Sequence, residues 1–486
     1  MVTARVVLSC AVTTDDTYQP DPRRWKALTV CLAAGFMTLL DVSIVNVALP
    51  SVQAALGASD AVLQWVVSGY ALAIGLVLVA AGRVGDALGR RDVFIAGVVV
   101  FAGGSLLAGT AQDGTWLVVA RLVQGVGSGV VGPQVSGLIQ QLFRGPERGV
   151  AFGRFGTVVG ISTAVGPLLG GVILALAGPE EGWRWVFLVN LPVAALAVLL
   201  ALRYLDPPDR RERVADLDLV GALLLGLGVV GVLWPTVSRA WGPWSLAVAG
   251  GGVVALAAFV RWEQRVTARG DVPMVQPSLF RRRGFSAGAL LALLYFSGFT
   301  AVFFVLALFF QAGAGYTPLQ AGAAITPFAL GSAVSSVVGG RLVGGQGRRV
   351  VVGGLLIVLV GVLATDLVVG LRGARDDVGL WTVLPLLVAG IGSGLVIAPN
   401  QTVTLSCVPV PQAGAAGGVL QTGQRLGAAT GIAVVGSLYF TGVGDGDAAA
   451  GVAHGLRATV ALVGLALAVG VLDLVRTSRR VRAETT

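Results

Sequence analysis

Asp41 and Arg121 are charged residues set inside otherwise apolar stretches. Asp41 lies in Leu40-Asp41-Val42-Ser43-Ile44-Val45-Asn46, and Arg121 in Ala120-Arg121-Leu122-Val123-Gln124-Gly125. A carboxylate among apolar side chains is costly unless it meets a partner or a wet cavity. Such a group can serve as a site that takes up and releases a proton, or as a recognition point for a cation. Arginine stays protonated and needs an anion or a carbonyl beside it. Placed close to an acid, it would influence when a proton leaves. Gln124 follows by three residues, on nearly the same helical face. Both charges also have a plain structural reading, Asp41 as an anchor for a neighbouring helix and Arg121 as a clamp on backbone carbonyls.

Other chemistries lack their residues. Lys26 is the one lysine, so no Gly-Lys phosphate loop can form. His454 is the one histidine, and Cys10, Cys31 and Cys407 are odd in number and far apart, with no metal or redox spacing. An enzyme has no supporting constellation here, and no cofactor, metal or nucleotide is expected. A proton is the one coupling agent the residues suggest.

The surroundings of these residues are unusual in bulk. Hydrophobic residues make up 55% of the 486 and charged ones 12%, at a mean hydropathy of +0.84. Soluble chains carry about 25% charge, so this chain is read as an all-α polytopic membrane protein whose constant partner is the lipid bilayer. Apolar runs of about 20 residues occur at 27–49, 61–80, 93–111, 116–140, 151–176, 184–203, 218–236, 245–263, 286–311, 321–344, 350–370, 380–403, 416–440 and 456–474. With the N-terminus inside, the inner segments hold 27 basic residues and the outer loops five. That bias places both termini in the cytoplasm. It also explains the net charge of +9 without nucleic acid.

Two inner loops repeat. Gly82-Arg83-Val84-Gly85-Asp86-Ala87-Leu88-Gly89-Arg90-Arg91 aligns with residues 340–349 at an offset of 258, and Gly344 stands where Asp86 does. Each loop joins the second and third runs of a six-run block. The organisation predicted is a tail (1–26), a six-helix bundle (27–203), a linker with two extra helices (204–285), a second six-helix bundle (286–475) and a tail (476–486). Parallel repeats of this kind place a substrate site between the halves.

These features resemble the major facilitator superfamily, and more closely its fourteen-span drug:proton antiporter family. The likeness runs from about residue 25 to 475. Gly82, Asp86, Gly89, Arg90 and Arg91 match the superfamily's loop signature, which the resemblance implies is a conformational latch; the Gly344 copy should latch weakly or not at all. Residues 40–50 are similar to the fourteen-span first-helix motif, and Arg121, Gln124 and Gly125 to a motif tied to proton transfer, which marks Asp41 and Arg121 as proton-coupling residues. Gly153, Ser162, Gly166, Pro167, Gly170 and Gly171 resemble the antiporter motif, with serine at 162 where the pattern has glycine; the family links that motif to export. Trp183 to Pro192, Gln311 to Pro327 and Ala413 to Gly431 (with Arg425) are further family-like stretches without assigned chemistry.

A drug cavity is mostly apolar with a few polar groups. Asn46, Trp65, Tyr70, Gln124, Phe299, Phe303, Gln311, Asn400 and Gln421 are candidates to line it, with Ser43, Gln134, Phe296 and Phe310 as weaker ones. Aromatics can stack on flat drugs or attract cations, although packing explains each of them equally well. Asp366 and Asp473 are read as interfacial, Asp366 becoming a second coupling candidate if it lies deeper. The expectation is a monomeric, proton-coupled multidrug efflux antiporter of the plasma membrane that confers antibiotic resistance, with small amphipathic compounds, cations among the candidates, as substrates. Alternatives are a dedicated exporter of one secondary metabolite, a proton-coupled importer, and a non-transporting receptor or scaffold.

Overall fold

The computed structural model describes residues 20–485 except 179–180, 208–217, 239–241, 272 and 445–447. Most of the expected 1–26 tail, part of the 204–285 linker and the loop around Arg239 lie outside the described residues.

The described chain is helical almost throughout. Its helices are α1 (Arg24–Leu56), α2 (Asp60–Leu88), α3 (Arg90–Gly109), α4 (Gly114–Leu142), α5 (Gly145–Ala177), α6 (Gly182–Leu188), α7 (Asn190–Tyr204), α8 (Leu219–Ser238) and α9 (Pro243–Arg269). They continue with α10 (Ser278–Arg281), α11 (Arg283–Leu308), α12 (Pro318–Gln346), α13 (Arg348–Arg372), α14 (Val378–Ser406), α15 (Ala413–Gly444) and α16 (Ala448–Thr485). A π-helical turn, Phe309–Gly313, ends α11. In an apolar solvent only a helix or a closed barrel satisfies its own backbone, and continuous apolar runs select the helix.

Local residues set the boundaries. Ser59 caps α2 and Asp113 caps α4, each side chain accepting a backbone N–H three residues on. Thr317 and Gln320 form a capping box that starts α12. Between α2 and α3 the chain turns at Gly89 with φ 104°, and between α12 and α13 at Gly347 with φ 52°. These glycines are 258 residues apart, so the repeat preserves a backbone turn that a side chain would strain.

Among the described residues, twelve helical segments are long and apolar enough to cross a membrane, with α6 and α7 counted together as Gly182–Tyr204. The sequence runs predict fourteen. The difference lies in α8, whose described apolar stretch is Leu219–Pro235, and in α15, which is not among the twelve. The first half of α15 carries Gln421, Thr422, Gln424 and Arg425 among small residues.

Helices α1–α7 form one bundle and α11–α16 another. Helix α8 packs on α9, on α2 and on α15, so the inserted pair lies along a seam between the bundles rather than standing apart. Val229 and Leu233 of α8 meet Leu72 of α2 and Leu426 of α15 there.

The arginine-rich connections gather at one end of the bundles, here called the basic end. Arg24 bridges to Glu147 across the starts of α1 and α5, and Arg348 bridges at 2.8 Å from the start of α13 to Asp473 near the end of α16. The halves touch toward this end. On α2 the contacts lie at Leu78, Gly82 and Asp86, on α4 at Gly132 and Ser136, and on α5 from Gly149 to Gly160.

Candidate functional site

Asp41 sits on α1 with no exposed surface. Arg121 of α4 donates from Nη1 to its Oδ2 at 2.6 Å. Gln124 donates to Oδ1 at 2.8 Å, and Asn190, the first residue of α7, donates to the same oxygen at 3.2 Å. Ser105 of α3 accepts from both Gln124 and Asn190, at 2.6 and 3.3 Å. Four helices thus converge on one carboxylate.

The arginine is held from every side. Nη1 also donates to Gln124 Oε1 at 2.5 Å, and Nε donates to the Val66 carbonyl at 3.1 Å. Its guanidinium lies 4.0 Å from the Tyr70 ring centroid, a cation–π contact. Tyr70 in turn donates to the Thr38 carbonyl at 3.2 Å. A buried pair of this kind is stabilising only when the remaining donors and acceptors are also satisfied; here both Asp41 oxygens and the Nε and Nη1 of Arg121 have partners.

Beside the pair lies a cavity of about 60 Å³, lined by Val42, Val45, Val67, Tyr70, Ala71, Ile74, Arg121 and Arg425. It has room for a few waters and is well below the roughly 300–1,000 Å³ of a drug-sized pocket.

The antiporter stretch works on two faces of α5. Its early glycines face the other half: a Cβ on Gly153 would meet Ser336 O at 2.7 Å. Its later ones face α1: a Cβ on Gly166 would fall 2.0 Å from Ser43 Oγ, and one on Gly170 would fall 3.1 Å from Ile44. Gly171 has open space around it. Ser162 is buried, its hydroxyl bonding Val158 and Val159 of its own helix while its carbonyl accepts from Ser43. The side chain of Pro167 lies outside the described ones. The motif therefore seats α5 against the turn of α1 that follows Asp41.

At the basic end Asp86 crosses between halves. Its oxygens accept from the backbone N–H groups of Gly414 and Ala415 at 3.0 and 2.9 Å, at the start of α15. An acid at a helix N-terminus is favoured by the unsatisfied N–H groups and the dipole. Arg90 donates to Asp86 at 2.8 Å, to the Gly137 carbonyl at 2.9 Å and to the Val410 carbonyl at 2.5 Å. Gly82 lets the Gly414 backbone approach. Arg91 donates to the Leu202 carbonyl within its own half.

The second copy of the loop is wired differently. Arg348, the counterpart of Arg90, takes its acid from Asp473, bonds Asn400 Oδ1 and donates to the Gly284 carbonyl. All of these partners belong to helices of its own half or to their lead-in. Gly344 packs on Pro146 at the start of α5.

The remaining candidates scatter. Tyr70 and Gln124 are at the pair. Asn46 is exposed on α1, one turn beyond Val42, and donates to the Val42 carbonyl. Trp65 meets Trp234 of α8, with ring centroids 5.7 Å apart. Phe296, Phe299 and Phe303 cluster with Tyr295 and Phe328 inside the C-terminal bundle. Phe310 stacks on Tyr316. Gln311 is exposed and donates within its own turn. Asn400 is committed to Arg348 and to the Gly288 carbonyl. Gln421 and Gln401 both donate to Ser136 across the halves, and Gln134 donates to the Ala81 carbonyl. Asp366 pairs with Arg457 at 3.5 Å, near the end of α13 away from Arg348.

The sequence reading left out Ser105 and gave Asn190 and Arg425 no role. A polar residue opening a half-helix, as Asn190 does, was the available signal for one of them. Ser105 had none, because a serine in a membrane helix commonly bonds its own backbone.

A two-bundle helical membrane protein with a buried acid–arginine pair in one bundle is the class defined by this architecture. The sequence profile of the Major Facilitator Superfamily matches residues 31–432, and the chain belongs to that superfamily of transporters. It is 37% identical over 471 residues to the Puromycin resistance protein pur8 of Streptomyces alboniger, covering 94% of this chain and 90% of that one. It is 37% identical over 461 residues to the Cephamycin export protein CmcT of Amycolatopsis lactamdurans, covering 92% and 91%. Among solved structures it resembles the proton:xylose symporter XylE at a TM-score of 0.65, with 15% identity and coverage of 94% and 95%. At that identity the likeness shows the fold alone.

Proposed function

We propose that the protein exports amphipathic drugs or antibiotics in exchange for protons, by alternating access across the plasma membrane. The observation that carries this reading is the buried Asp41–Arg121 pair, at 2.6 Å, within membrane helices. A carboxylate so placed is functional by default, and Arg121 gives it a partner that a proton could replace. The direction rests on the relatives, one named for export and one for resistance.

Positive-inside bias would put the basic end and both termini in the cytoplasm. The halves meet toward that end, so this conformation is closed to the cytoplasm. Asp86, Arg90 and Gly82 hold it closed, and the α5 glycines let α12 approach. We read α8 and α15 as spans that would complete fourteen, in keeping with the fourteen-span drug:proton antiporter group. In each cycle a proton taken from outside loads Asp41 and frees Arg121, the latch opens, and release inside resets the pair.

The test is substrate-induced proton release from everted vesicles, with Asp41→Asn as the control. Release by the wild type and none by the variant is expected. Equal release by both would remove Asp41 from coupling, and no release by folded protein with any compound would remove antiport.

A further inference from the structure

Arg425 is a cation that the coupling site does not use. It projects from α15 of the C-terminal half and lines the same cavity as Arg121, Tyr70, Val42 and Ile74 of the N-terminal half. Arg121 is committed to Asp41, Gln124 and Val66. Among the described residues Arg425 forms no hydrogen bond and no ion pair. It is half-buried, and apart from Arg121 and Tyr70 the other walls of the cavity are apolar.

The charge balance follows. Asp41 and Arg121 cancel, which leaves the cavity with the single positive charge of Arg425. An arginine withdrawn from bulk water without an anion is costly. Asp41 cannot serve an incoming cation in this state, because it has no exposed surface and Arg121, Gln124 and Asn190 already occupy its oxygens. A cationic substrate would meet two arginines and no free acid.

We propose that Arg425 is the anion-recognition subsite of the transport cavity, and that the substrates are amphipathic organic acids: a carboxylate, phenolate or sulfonate on a flat apolar body. This rests on the export reading above and selects acids over the cations that the sequence left as candidates. The enclosed space, about 60 Å³, admits an acidic head group and not the whole compound. The body would lie toward Asn46, one turn beyond Val42 and exposed. Arginine suits this role because its fork pairs with two oxygens at once.

The test uses the full-length protein and a matched panel of naphthyl and anthracenyl carboxylates with the corresponding methylamines. Binding is read by tryptophan quenching in nanodiscs, and transport by efflux from expressing cells. Wild type should prefer the acids, and Arg425→Gln should lose about tenfold or more of acid affinity, the value of one charge-assisted contact. Arg425→Lys should keep most of it. Preference for the amines, binding of neither set, or undiminished acid binding by Arg425→Gln overturns the proposal. If Arg425→Gln does not fold, the charge preference of the wild type decides alone. Amines exported and acids ignored would overturn the anion subsite and leave export standing. Acids bound without proton-dependent efflux would leave the subsite standing and remove the export reading.

Discussion

Gly82 and Gly340 occupy equivalent places in the two halves, and each presses against a glycine of the opposite half. A Cβ on Gly82 would lie 2.3 Å from the Gly414 carbonyl oxygen, and one on Gly340 would lie 2.3 Å from that of Gly149. The repeat thus builds two backbone seams at the basic end. The Gly82 seam is reinforced by a carboxylate, Asp86, whereas Gly344 stands at the matching place beside Gly340.

Alanine at Gly82 or Gly340 should force the halves apart at the basic end, because the obstacle is backbone and cannot rotate away. Each single variant is expected to transport at least about tenfold more slowly, since overpacking a tight contact costs about 1–3 kcal/mol. A single cysteine introduced at the basic end of the seam should become more reactive to a thiol reagent. Wild-type transport with unchanged labelling by Gly82→Ala would remove the seam from the mechanism.

Asp86→Asn and Asp473→Asn should separate two roles of similar ion pairs. Asp86 links the halves, so its loss leaves Arg90 buried beside Val410 without its acid and should increase labelling at the basic end. Asp473 bonds Arg348 within one half, so its loss should lower the melting temperature and leave labelling unchanged. Removing one member of a buried pair costs about 3–5 kcal/mol. Identical labelling patterns in the two variants would contradict the assignment.

The pair at the coupling site should be non-additive. Asp41→Asn and Arg121→Gln each leave the other partner buried and should destabilise the protein. The double variant should melt above the worse single, because both charges are gone. Proton release should be absent in all three. A double variant that melts as low as the two losses summed would mean that Asp41 and Arg121 do not depend on one another.

Ser162→Gly should be tolerated. The Ser162 hydroxyl bonds only its own helix, at 2.8 and 3.0 Å, and its contact with α1 is made by the carbonyl, which glycine retains. Gly166→Ala should instead impair transport, since its Cβ would fall on Ser43 Oγ unless that side chain moves. Comparing initial efflux rates of the two variants checks this. A loss in Ser162→Gly equal to that in Gly166→Ala would show that the hydroxyl has a role of its own.

Much of the protein was legible in its residues, and the reason is the bilayer. Backbone groups have no water to bond in hydrocarbon, so long apolar runs must become helices. A charge deep in such a run is costly without a partner, and Asp41 and Arg121 found one in each other. The loop repeat at an offset of 258 announced two similar halves, and its glycines mark the turns at Gly89 and Gly347. Where polar groups broke up a run the reading was weaker, as Gln421, Gln424 and Arg425 of α15 show.

Partnership was decided only by the fold. Asp41 and Arg121 are 80 residues apart, and neither position says that Gln124, Ser105 and Asn190 complete their shell. The two copies of the loop look alike, yet Arg90 keeps an acid one turn back whereas Arg348 takes one from α16, because Gly344 left it none nearby. Trp65 and Asn400 read as cavity residues in sequence, but neighbouring helices claim them. Arg425 read as one more polar position until the packing of α15 against α2 and α4 set it across the cavity from Arg121, without an acid of its own. Sequence determines which groups cannot remain alone in an apolar medium, and tertiary structure determines which partner each of them meets.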